Sequence, residues 1–131
     1  MSLADDLIQL AWSNSVGTAV KLWNGRIPET DQATYPNAGY VFTGYSDDDS
    51  PLSGSKLETE RFSVSIAHEN RRLLWEMARR FKKTVDELDH DNLANSSARI
   101  EDFSIPRNEA GRPLWYELSV EVTISLWNQE D

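Results

Sequence analysis

His68 and His90 are the chain's two imidazoles, and it has no cysteine, so nucleophilic or general-base catalysis has little to start from. His68 opens His68-Glu69-Asn70 at a strand-to-helix junction, where a hydrogen-bonded structural residue is expected. His90 stands between Asp89 and Asp91, with Glu87 close by. Those four groups have the chemistry to bind a divalent cation, yet their spacing matches no established ligand pattern. Asp47-Asp48-Asp49 lacks the alternating ligands and the glycine of an EF-hand loop. Gly25, Gly39, Gly44, Gly54 and Gly111 are scattered, so no phosphate-cradling loop is built. Acidic pairs are frequent in so acidic a chain, and none is set apart by apolar surroundings. These residues lead us to expect no enzyme, no cofactor and no metal.

The other candidates are residues that make surfaces. The chain carries a formal charge of -9, which disfavours general nucleic-acid binding, because that relies on Lys and Arg displacing counterions. Segment 71–83 runs against this balance. Arg71, Arg72, Arg79, Arg80, Lys82 and Lys83 face Glu76 alone, a local +5 that leaves -14 on the remaining residues. The bland reading is a solvated helix face. The sharper one is opposite charges on different surfaces of one subunit, which suits head-to-tail assembly. Of the five tryptophans, Trp115 and Trp127 fall on the outward face of the last strand. Either they form a contact surface or they pack beneath a helix or loop, and their place at both strand ends favours the surface.

The elements that position these residues follow from periodicity. In 114–127, Leu114, Tyr116, Leu118, Val120, Val122, Ile124 and Leu126 alternate with Trp115, Glu117, Ser119, Glu121, Thr123, Ser125 and Trp127. A period of two marks a strand buried on one side. At about 3.3 Å per residue it would reach roughly 45 Å, longer than a small domain usually covers unless a bulge or another subunit helps. Residues 3–14 read as a helix, with Asp5 and Asp6 in the first turn where the dipole favours anions. Thr18–Trp23 is a short strand or helical turn closed by Asn24-Gly25. Residues 26–39, punctuated by Pro28 and Pro36, are irregular.

Tyr40–Tyr45 is a strand, Ser46–Lys56 a polar loop, and Leu57–His68 a second strand with Phe62, Val64 and Ile66 on one face. That loop exceeds the usual hairpin connection, as loops with a binding role often do. Residues 69–83 form the best helix, with Leu74, Met77, Ala78 and Phe81 as its apolar stripe. Thr84-Val85-Asp86-Glu87 fits a capping box, so a short further helix is expected to about His90. Asn92–Ser97 reads as a loop, Ala98–Ile105 as a strand whose imperfect pattern suggests a bulge, and Pro106–Pro113 as a turn. The expected fold is therefore one α+β domain over 1–131, with antiparallel sheet strands in the order α-β-β-α-β-β and the helices on one face. The length suits one domain and the 39% apolar content argues against disorder. No apolar run reaches a membrane span and no signal-peptide pattern opens the chain, so a soluble, unexported protein is expected.

This order of elements resembles that of the tail terminator, or tail completion, proteins of long-tailed, lambda-type bacteriophages. The resemblance lies in an N-terminal helix, Gly25-Arg26 opening an irregular segment, and Tyr35-Pro36 leading into Gly39-Tyr40-Val41-Phe42-Thr43-Gly44. The acidic loop, the alternating strand 57–67, a central helix and the closing pair Phe103–Arg107 and Leu114–Trp127 follow in the same order. The resemblance implies a virion protein of the tail, assembled in the bacterial cytoplasm. It implies a hexameric ring that ends tail-tube polymerisation and offers the surface that joins the head. Its implied partners are further copies of itself, the tail tube protein and a head-completion protein, with DNA passing through unbound and no membrane involved. No catalytic residue carries over. Arg71, Arg72, Arg79, Arg80, Trp115 and Trp127 are the expected subunit-contact residues, and Asp47, Asp48 and Asp49 the acidic loop that meets the tube or lumen. The alternative is a small ligand-binding or dimeric regulatory module, with Tyr35, Tyr40, Phe42 and Tyr45 lining a pocket.

Overall fold

The computed structural model describes residues 2–32, 34–49 and 56–128, the side chains of Asp48, Asp49 and Asn128 excepted. Helix α1 (Leu3–Ser15) starts with a capping box: the Ser2 hydroxyl accepts from the Asp5 amide, and the Asp5 carboxylate accepts from the Ser2 amide. It buries Ala4, Leu7, Ile8, Ala11 and Trp12, and the Trp12 indole donates to the Val20 carbonyl at 2.7 Å. The elements that follow are β1 (Leu22–Asn24), α2 (Glu29–Gln32), β2 (Asn37–Asp49), β3 (Lys56–His68), α3 (Arg71–Asp86), β4 (Leu93–Ser104) and β5 (Tyr116–Asn128). None of the described helices is long and apolar enough to cross a membrane.

The α+β class holds, and the five described strands form one sheet, ordered β1-β2-β3-β5-β4. The sheet is mixed rather than wholly antiparallel. The segment expected to be irregular crosses over through α2, so β1 lies parallel to β2, with Leu22 opposite Ala38. Gly25 turns the chain out of β1 at a φ of +96°, a value that side chains other than glycine resist. The expected order α-β-β-α-β-β thus gains β1 and α2.

Three boundaries also move. Ser46–Asp49 and Lys56 belong to strands rather than to a loop, because β2 pairs with β3 as far as Asp49 opposite Lys56. Residues 84–86 finish α3 instead of starting another helix; the Glu87 amide bonds back to the Lys83 carbonyl and closes it. β4 begins at Leu93, and its register shifts between Leu93 and Asn95 and between Ile100 and Phe103 blur the alternation there.

The long last strand needs no help from outside. β5 pairs without a register shift along all of β3, from Tyr116 opposite His68 to Asn128 opposite Lys56. Leu118, Val120, Val122, Ile124 and Leu126 are buried beside Phe62, Val64 and Ile66, under Leu74, Ala78, Phe81 and Val85 of α3 and the apolar face of α1. Trp12 meets Phe81 edge-on at 5.4 Å, joining the two helices over the sheet. Both long helices therefore pack on one face. Leu114 is the exception to the alternation: it precedes the strand and is exposed.

Candidate functional site

The basic residues occupy the exposed side of α3. Leu74, Met77, Ala78, Phe81 and Val85 turn inward, so helical spacing turns Arg71, Arg72, Arg79 and Arg80 to solvent. None of these arginines makes an ion pair among the described residues; the ion pair on α3 joins Lys82 to Asp86 at 2.5 Å. The structure gives Trp75, which periodicity places at the margin of the apolar stripe, aromatic and cationic neighbours. Trp75 lies 5.7 Å from Phe103 of β4, and Phe103 stacks on Tyr116 of β5 at 6.2 Å. The Arg79 guanidinium stands 5.5 Å over the Trp75 ring. Arg71, Arg72, Trp75, Glu76, Arg79 and Phe103 line a groove of about 620 Å³ where α3 overhangs the β4 edge. Arg80 lies outside it.

At the other side of the sheet, β1 pairs with β2 only as far as Tyr40. Among the described residues, β2 is an edge strand from Val41 onward. The extra residue between Phe42 and Gly44 shifts the alternation, and Tyr45 comes to lie opposite Glu60 and Asp47 opposite Glu58. The Tyr45 hydroxyl donates to Glu58 at 3.2 Å, and Lys56 pairs with Asp47 at 3.2 Å. Phe42 and Tyr45 are each more than half exposed. Burial, then the charges of Asp5 and Glu58, push the Glu60 carboxyl above the usual range. Asp5 behaves oppositely: burial raises it, but hydrogen bonds from Ser2, Tyr40 and the Ser2 amide together bring it below the usual value. Glu58 and Glu60 had no distinguishing mark in the sequence. Only the shifted register gathers them with Tyr45.

Asp47 of the acidic triplet is exposed on this strand; the side chains of Asp48 and Asp49 lie outside the described residues. Trp127 is exposed, as the alternation of β5 requires. Trp115 is half-buried, stacked on Tyr35 at 5.7 Å, and its indole donates to Glu117. The four aromatics considered for a pocket do not converge. Tyr40 is buried and donates to Asp5 at 2.8 Å, Tyr35 lies on Trp115, and Phe42 and Tyr45 project from the β2 edge.

His68 is a junction residue: its Nδ1 accepts from the Asn70 amide, and burial lowers its pKa against the opposing pull of Glu69. His90 Nδ1 accepts from the Asn92 amide. No cluster of three His, Asp or Glu side chains fit for a metal ion occurs among the described residues.

No protein-family model matches the sequence, and no curated protein matches it either. Among solved structures, the fold is similar to a chain in the virion of a native gene transfer agent particle. The TM-score is 0.50 at 11% sequence identity, over 89% of this chain and 84% of that one. Similarity at that identity shows a shared fold.

Proposed function

We propose that the protein is a structural component of a phage or phage-like virion. More specifically, it acts as a tail terminator: a ring on the tail tube that stops tube polymerisation and presents the head-joining surface. The observation that carries this reading is the match of nearly the whole fold to a chain of a virion particle. Two features of the chain support it. The basic groove lies at the β4 edge of the sheet, and the acidic stretch of β2 and β3 lies at the opposite edge. A subunit with unlike surfaces on opposite sides closes into a ring when its rotation closes.

Six copies at -9 each would carry about -54. Acidic groups around a channel repel DNA phosphates and let the duplex pass without sticking. The partners are then other copies of this chain, the tail tube protein and a head-completion protein, and the place is the virion tail, assembled in the host cytoplasm. The protein performs no bond-making chemistry.

Light scattering over a concentration series, followed by negative-stain images, tests the reading. Six-membered rings with a hole wide enough for a duplex are expected. A dimer whose mass is independent of concentration would refute the ring and favour a regulatory module.

A further inference from the structure

From the charges and aromatics at the two sheet edges, we infer that the α3–β4 groove of one copy receives the β2–β3 hairpin of the next. Arg71, Arg72 and Arg79 thereby meet Glu58 and Glu60, and Phe42 and Tyr45 meet Trp75 and Phe103. This inference deepens the ring reading and rests on it, by naming which surfaces touch. The groove is basic, with Glu76 its lone acid, and its arginines lack ion-pair partners within the chain among the described residues. The hairpin offers the complement: carboxylates at Glu58 and Glu60 beside aromatics that the chain leaves largely in water.

Position agrees with charge. Register places Glu58 level with Asp47, Leu126 and Leu93 towards one end of the sheet, Phe42 level with Phe62 at its middle, and Phe103 level with Leu118 and Ile66 towards the other end. The two surfaces therefore sit at opposite edges and opposite ends of the sheet, where one molecule cannot bring them together. The edges lie three strand spacings apart, roughly 14 Å. A second copy can satisfy both, and the contact is heterologous, as a ring demands.

A second observation points the same way. Arg71 and Arg72 occupy the first turn of α3, which holds no acidic residue. Cations there oppose the helix dipole, so the helix carries a local cost that its own folding does not need. Recognition by a neighbour's carboxylates gives those charges a use.

The test exploits the unlike surfaces. Arg72→Glu with Arg79→Glu reverses the groove; Glu58→Lys with Glu60→Lys reverses the hairpin. Each double variant alone should associate at least about tenfold more weakly than the parent chain, because like charges then face each other. An equimolar mixture should recover near-parental assembly, since alternating the two variants makes every contact complementary and closes an even-membered ring. Circular dichroism and melting of each monomer establish that it folds.

A second measurement covers a variant that does not fold. The chain has no cysteine, so Arg79→Cys in one copy and Glu58→Cys in another should give disulfide-linked heterodimers under mild oxidation. Rings that persist in both charge-reversed variants, or that form without this cross-link, would overturn the pairing and leave the ring standing. A parent chain that stays monomeric at every concentration would overturn both.

Discussion

Tyr40 and Asp5 show how one polar pair fastens the N-terminal helix to the sheet. The Tyr40 ring is 1% exposed and meets Phe62 edge-on at 5.9 Å, while its hydroxyl reaches Asp5 at the start of α1. Tyr40→Phe keeps the packing and removes the donor. A net loss of about 1 kcal/mol at neutral pH is expected, below the usual range for a bond to a charged group because Asp5 is partly in water. The Asp5 carboxyl is held below its ordinary value, so its contribution is present above the ordinary carboxylate range and is lost as pH falls through the lowered one. Urea melts should accordingly show the gap between parent and Tyr40→Phe closing in acid; a gap that stays constant would show that Asp5 is not the partner that matters. Glu60 acts with the opposite sign. Its raised carboxyl destabilises the fold in full above that raised pKa, and the cost fades as pH falls through the ordinary carboxylate range.

Helix α3 carries two requirements that conflict locally. Its apolar stripe fits the sheet, and its start is sound because the Asn70 side chain accepts from the Leu73 amide at 3.0 Å. Its first turn nevertheless places Arg71 and Arg72 against the helix dipole. Arg71→Glu should therefore stabilise the monomer by roughly 0.3–1 kcal/mol while weakening self-association. Thermal melts at low concentration and sedimentation at high concentration measure the two effects separately. A substitution that destabilises the monomer would count against the dipole argument. The stripe itself is far less tolerant. Phe81 is fully buried between Trp12 and the sheet, and Phe81→Ala should cost about 3–5 kcal/mol, read from denaturant midpoints.

At the scale of the whole molecule, the basic groove of α3 and the acidic stretch of β2 and β3 lie apart. The excess of acid over base would keep copies apart if it were spread evenly, yet the groove concentrates base at the β4 side and the hairpin concentrates acid at the β2 side. Attraction between such patches is local and screened by salt. The Debye length falls from about 10 Å at 0.1 M to about 3 Å at 1 M. Assembly of the parent chain should weaken over that range, as sedimentation velocity would register. Assembly that strengthens with salt would instead identify an apolar contact, with the exposed Trp127 among its candidates.

Much of the architecture was legible in the chain alone. Alternation over 114–127 and 57–68 and the stripe in 69–83 identified the central strands and the main helix, because a buried face imposes its period directly on the residues. Those signals set the α+β class and turned the four arginines outward. Pairing between distant segments leaves no such local trace. The parallel strand Leu22–Asn24, the mixed sheet and the extension of the hairpin to Asp49 follow from which backbone groups find partners across the sheet. So does the gathering of Tyr45, Glu58 and Glu60, which one extra residue in β2 decides. Composition determined that the molecule is acidic with one basic segment; only tertiary structure decided that the basic groove of α3 and the carboxylates of Glu58 and Glu60 stand at opposite edges, because strand order in a sheet is settled by long-range contacts.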